Sequence, residues 1–159
     1  MSEERKNYNQ EQNTVKIFTV PISLEELKEH IIIDTNSLSK VSEEQIINQA
    51  YNFHLQGNIL EAAKYYQLFI NQGFNDYRVL SNYAVVLKEL GQLKNAELCL
   101  RKSIHLKQDF ADAHLNLGNI LSDLGNLKDA ELSIREAIKL KPDSAKAYLN
   151  LGNFLKDLG

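Results

Sequence analysis

Apolar residues recur along most of this chain at a helical period, and the pattern then repeats every 34 residues. Within residues 111–125, Leu117, Leu121 and Leu124 stand at i, i+4 and i+7. That spacing marks one face of an α-helix. Gly125 follows, and glycine reaches the left-handed conformation that ends a helix without a Cβ clash. A second stripe then runs through Leu127, Ala130, Ile134, Ala137, Ile138 and Leu140. It predicts a second helix, broken at Lys141-Pro142-Asp143-Ser144. Proline cannot continue a helix, and Ser144 or Asp143 can cap the next one. A new first helix is expected from Ala145.

The repetition is visible residue by residue. Gly57, Gly91, Gly125 and Gly159 are 34 apart, as are Asn48, Asn82, Asn116 and Asn150, and Ala62, Ala96 and Ala130. Residues 111–125 and 145–159 agree at eleven of fifteen positions, and residues 92–107 and 126–141 at nine of sixteen. A period of this length signals stacked supersecondary units that bury their apolar faces only against one another. Small residues recur in phase inside the first helices, at Ala50, Ala84, Gly118 and Gly152. Mid-helix glycine costs about 1 kcal/mol relative to alanine. The recurrence therefore predicts a close helix crossing, with Ala62, Ala96 and Ala130 as the facing small residues.

A 34-residue helix–turn–helix with small residues at its eighth and twentieth places, and Pro142 near its end, resembles the tetratricopeptide repeat. The resemblance covers three units, 43–76, 77–110 and 111–144, and the first helix of a fourth, 145–159. It implies an all-α fold, a right-handed α-solenoid. The first unit is loosest, with Gln49 where leucine is usual and Phe69 where a small residue is usual; Ile46, Leu80, His114 and Tyr148 occupy the place where tryptophan is frequent. The wording LNLGN-x-L-x-D-L-G is similar to the repeats of O-GlcNAc-transferase-like proteins.

The two ends carry their own expectations. Residues 1–14 are polar and predict a disordered tail. Residues 15–42 are expected to form an N-terminal extension with a short capping helix starting at Leu24 after the box Ser23-Leu24-Glu25-Glu26. The alternative is that Ile17-Phe18-Thr19-Val20 lies in the groove as an internal ligand. Ser42 and Gln45 form a second box at the first repeat helix. At the other end, Leu151, Phe154, Leu155 and Leu158 are expected to lack the partner helix. Either that helix is a cap, or the chain is a fragment, or the open end binds something, including another copy.

Composition narrows the function. Eighteen basic and twenty-one acidic residues give a net charge of -3, with five and seven of these in residues 1–42. Neither part carries the basic face of a nucleic-acid binder. The apolar runs are too short to span a bilayer, and no signal peptide is visible, so a cytoplasmic location is expected. The single cysteine, Cys99, excludes an internal disulfide and reads as an inert, buried thiol.

No catalytic constellation emerges, and no metal or cofactor is expected. The four histidines, His30, His54, His105 and His114, form no pair at i+3 or i+4. His54 is expected to face the groove and His114 to make a helix contact. Glu131 and Arg135 are spaced for an i, i+4 ion pair.

What remains is a surface. Asn48, Asn82, Asn116 and Asn150 share one phase of the first helices, and Asn119 and Asn153, three residues on, share that face. An amide side chain matches the donor and acceptor of a peptide unit. Packed helices lie about 8–10 Å apart and an extended chain advances about 3.3 Å per residue, so one asparagine would meet every third ligand residue. The six asparagines are thus the candidate peptide-binding residues, with Tyr51, His54, Lys88, Asp123 and Lys156 beside them to tune selectivity. Asparagine at this place also has a structural reading, bonding a neighbouring helix. Resemblance to O-GlcNAc-transferase-like repeats implies peptide contact. The lysine–asparagine clamp that other family members close on a ligand's C-terminal carboxylate is matched poorly. Asn116 and Lys146 fit it, but Ser81 and Val85 stand where a lysine and an asparagine are needed.

The expected function is a non-enzymatic scaffold binding a protein or peptide in its concave groove. The alternatives are the substrate-binding arm of an O-GlcNAc-transferase-like or other transferase, and self-association through the C-terminal end.

Overall fold

A computed structural model describes residues 42–157, and all its regular elements are helices. They are α1 (Glu43–Leu55), α2 (Ile59–Asn71), α3 (Tyr77–Glu89), α4 (Leu93–Leu106), α5 (Ala111–Asp123), α6 (Leu127–Leu140) and α7 (Ala145–Asp157). Successive helices pair as α1/α2, α3/α4 and α5/α6, and each pair leans on the next through α2/α3, α4/α5 and α6/α7. The result is a helical-repeat solenoid. The expectations for residues 1–41, including the capping helix and the Ile17–Val20 ligand, lie outside the described residues.

Local chemistry sets the boundaries. Ser42 Oγ accepts from Gln45 N (3.2 Å) while Ser42 N donates to Gln45 Oε1 (2.9 Å), closing the box that starts α1. Asp76 starts α3 by accepting from Arg78 N (2.7 Å) and Val79 N (3.3 Å). Ser144 starts α7, accepting from Ala147 N at 3.3 Å. Between paired helices the chain turns at Gly57, Gly91 and Gly125, with φ of 74°, 73° and 78°. At the last, Gly125 N donates to Ser122 O and Asn126 N to Leu121 O, satisfying carbonyls that the helix end would leave bare.

One continuous core runs along the stack. Its first unit is aromatic: Tyr65, Tyr66 and Phe69 are buried, and the Tyr66 ring lies 5.6 Å from Tyr83 of the next unit. Phe69 fills the place held by Ser103 and Ala137 in later units and packs on Phe74 at 5.4 Å between centroids. Ser103 is fully buried, and its hydroxyl donates to the Tyr77 carbonyl at 2.7 Å. Cys99 is buried as expected, and burial pushes its thiol up to about 12 against the smaller opposing pull of Lys102.

The small-residue reading holds at its sharpest point. A Cβ on Gly118 would lie 2.5 Å from Ile134 Cγ1 and 3.1 Å from Ala130 O, so α5 and α6 touch backbone to side chain there. Three expectations change. Phe154, expected to lack a partner, is 5% exposed, because α7 turns that side onto α6. Leu127, placed on the buried stripe, is 42% exposed at the first residue of α6. His114 binds not a neighbouring helix but the loop before its own, with Nε2 2.8 Å from Gln108 O.

Candidate functional site

The 34-residue period carries the six asparagines onto successive first helices: Asn48 on α1, Asn82 on α3, Asn116 and Asn119 on α5, Asn150 and Asn153 on α7. Four of them line two adjoining cavities. The first, about 190 Å³, is bounded by Val85, Lys88, Asn116, Asn119 and Lys146 over an apolar floor of Ala84, Leu100 and Ile120. The second, about 230 Å³, is bounded by Lys88, Asn119, Ser122, Asp123, Asn150 and Asn153, with Ile134 and Phe154 beneath. Asn48 and Asn82 line neither. Asn48 is exposed and Asn82 half-buried, and neither forms a side-chain hydrogen bond among the described residues.

The amides are partly tied to one another. Asn150 Nδ2 donates to Asn119 Oδ1 at 3.0 Å, and Asn116 Nδ2 donates to Ser81 Oγ at 3.4 Å. These bonds run between helices, so the structural reading of the column holds in part. They leave capacity unused. Asn119 keeps both N–H donors, and Asn150 keeps its carbonyl oxygen and one N–H. A donor and an acceptor thus remain side by side.

Ion pairs follow the same inter-helix step. Lys88 Nζ reaches Asp123 Oδ2 at 2.8 Å, and His54 Nε2 lies 3.9 Å from Glu89 Oε1. Both pairs, like Asn116 with Ser81, join residues offset by one repeat plus one residue. Lys88 and Asp123 are 43% and 41% exposed, so their pair contributes at most about 1 kcal/mol. It fixes a positive and a negative charge side by side at the rim. Ser81, noted from sequence only as a mismatch to the carboxylate clamp, and Ser122, not singled out there, both take part here. The signal that finds Ser81 is the staggered step, which an in-phase comparison of repeats does not show; Ser122 enters as the neighbour of Asp123 on the cavity wall.

Below the α1 end, the Tyr66 hydroxyl is buried with no hydrogen-bond partner among the described residues. Burial raises its pKa to about 12, and the nearby Tyr51 adds to the shift. Tyr51 itself is 48% exposed, and Lys156 is exposed. Among the described residues no cluster of His, Cys, Asp and Glu is placed to hold a metal ion, and no helix is long and apolar enough to cross a membrane.

Paired helices of this length, stacked at this period, define a helical interaction repeat. The tetratricopeptide repeat pattern matches residues 111–144, and a second tetratricopeptide pattern matches residues 77–110. Residues 77–144 are therefore tetratricopeptide repeats, a fold that generally serves as a non-catalytic interaction module. Solved structures agree. The first tetratricopeptide domain of Spaghetti (RPAP3), bound to the HSP90 peptide SRMEEVD, superposes with a TM-score of 0.69 at 18% identity, over 80% of this chain and 98% of that one. The tetratricopeptide domain of Arabidopsis OM64 gives 0.68 at 20% identity, over 72% and 94%. A mutant O-GlcNAc transferase of Thermobaculum terrenum gives 0.68 at 22% identity, over 77% of this chain and 23% of that one. No curated protein matches the sequence.

Proposed function

We propose that this chain is a non-enzymatic scaffold that takes an extended protein segment along its first helices, over Asn48, Asn82, Asn116, Asn119, Asn150 and Asn153. The observation that carries the reading is the Asn119–Asn150 pair. Asn119, with its unused donors, borders both cavities, and Asn150, with its unused acceptor and donor, borders the second. Each amide–backbone hydrogen bond nets about 1 kcal/mol, so affinity depends on several acting together. The Lys88–Asp123 pair and Lys146 supply the charge that selects among ligand side chains. A neighbour of the same fold holds a peptide, which supports the class of ligand and not its sequence.

The test is an array of extended decapeptides probed with wild type and with Asn119→Ala/Asn150→Ala, both checked by circular dichroism. Loss of two to three hydrogen bonds corresponds to binding weaker by about thirtyfold to 150-fold across the bound set. Equal binding by a folded double variant would show that the amides serve the fold alone.

The likeness to the transferase of Thermobaculum terrenum supports a second reading, a substrate-binding arm for a transferase. In that case the bound peptides share serine or threonine acceptor residues. An array without that enrichment removes it.

A further inference from the structure

The step between α1 and α3 differs from the steps that follow it in its floor and in its charge. Leu100 and Ile134 lie beneath the two cavities, and Tyr66 holds the same repeat position in the first unit. Leucine and isoleucine serve the stack there, so the packing does not call for a phenol. Yet Tyr66 is 1% exposed, and its hydroxyl has no hydrogen-bond partner among the described residues. A buried hydroxyl lowers stability unless something pairs with it. The Tyr66 ring stands edge-on to His54, with centroids 6.5 Å apart. Tyr51 is nearby and half exposed.

The charge follows from the staggered ion pairs. Lys88 Nζ sits 2.8 Å from Asp123 Oδ2. One repeat earlier the same two positions hold His54 and Glu89. An imidazole replaces the ammonium, and its Nε2 lies 3.9 Å from Glu89 Oε1, beyond hydrogen-bond reach. The Glu89 side chain is 45% exposed, and Lys88, its neighbour in sequence, is committed to Asp123. Glu89 therefore lacks the close cation that Asp123 has, and it does so beside two tyrosines and an orphaned hydroxyl.

We propose that this step is a subsite for an arginine side chain of the bound segment. The proposal rests on the groove reading above and adds the identity of one ligand residue. The guanidinium stacks on Tyr51, donates to the Glu89 carboxylate, and donates from its other edge to the Tyr66 hydroxyl oxygen. Rotation of the half-exposed Tyr51 opens the way to that oxygen. Arginine suits the place better than lysine, because its planar fork donates in several directions at once and lies flat on an aromatic face.

The probe is a set of capped decapeptide pools, random except at one position fixed as arginine or as citrulline, its neutral isostere. Each pool is titrated into the whole chain by fluorescence anisotropy. At the best fixed position arginine is expected to bind wild type about tenfold more tightly than citrulline, with the ratio falling as salt rises. Tyr66→Phe, which keeps the ring, and Glu89→Gln are each expected to cut that ratio to about threefold or less, with unchanged circular dichroism. Asn119→Ala/Asn150→Ala is expected to weaken both pools and leave the ratio as it was. A purely structural Tyr66 would not move the ratio, so an unaltered arginine preference in either folded variant overturns the assignment. Equal binding of arginine and citrulline pools by wild type overturns it too, while weaker binding by the asparagine variant would leave the amide column standing. No measurable binding of any pool overturns both readings.

Discussion

Replacing Gly118 and Gly152 by alanine, one at a time, separates two effects that the sequence presents as the same. In a helix interior alanine is favoured over glycine by about 1 kcal/mol. Both variants receive that gain. At Gly152 nothing among the described residues opposes it, because the new Cβ has no neighbour there within 4 Å. At Gly118 the Cβ would sit 2.5 Å from Ile134 Cγ1, 3.1 Å from Ala130 O and 3.3 Å from Ile134 N. Ile134 is 1% exposed and β-branched, so its side chain has nowhere to swing. The two backbone contacts cannot yield unless α6 moves away from α5. Overpacking of this kind costs about 1–3 kcal/mol. The net expectation is a loss of about 1 kcal/mol for Gly118→Ala and a gain of up to about 1 kcal/mol for Gly152→Ala. For a chain of this size each kcal/mol moves the melting temperature by about 2–4 °C. Differential scanning calorimetry of the two variants beside wild type resolves such shifts. Equal stabilisation by both would refute the close crossing of α5 and α6.

Two further outcomes are expected. The Arg78 guanidinium that hydrogen-bonds Asp76 holds that carboxyl below the usual carboxylate range, against the opposing pull of its partial burial. A depressed folded-state pKa contributes stability above the unfolded value of about 3.9, and the contribution disappears as pH falls through the folded value. Asp76→Asn keeps a capping side chain but loses the charge. Its melting temperature is therefore expected to fall less than that of wild type between pH 6 and pH 3; equal acid slopes would contradict this assignment. Tyr66→Phe removes the buried, unpartnered hydroxyl and leaves the ring, so urea denaturation is expected to show unchanged or higher stability, by up to about 1–3 kcal/mol. A marked loss would mean that the hydroxyl has a partner.

Much of the fold was legible before any coordinates. The glycine period located the turns at Gly57, Gly91 and Gly125, and each has the positive φ that the reading required. The Ser42–Gln45 box opened α1, and Ser144 capped α7. The site was less legible. The in-phase asparagines all landed on first helices, but only Asn116, Asn119, Asn150 and Asn153 gather around the cavities. Asn48 and Asn82 share their phase and not their surroundings, because Tyr51 and Val85 stand where α5 and α7 have Asn119 and Asn153. His114 departs from expectation because Gln108, which it contacts, lies outside the repeating pattern, whereas the burial of Phe154 follows the pattern, in phase with Val86 and Ile120.

Sequence by itself determined the number of helices between Glu43 and Asp157, their ends, and which stripe of each is apolar. Those properties depend on residues close along the chain: a cap, a glycine, a proline, a 3.6-residue period. Tertiary structure alone decided the partners across helices: Asn150 with Asn119, Asn116 with Ser81, Lys88 with Asp123. It also decided that Gly118 is filled and Gly152 open. The reason is that stacked helices are offset along their axes by side-chain packing, so the residues that meet are not those in phase. Two like faces differ as soon as one has a neighbour among the described residues and the other does not.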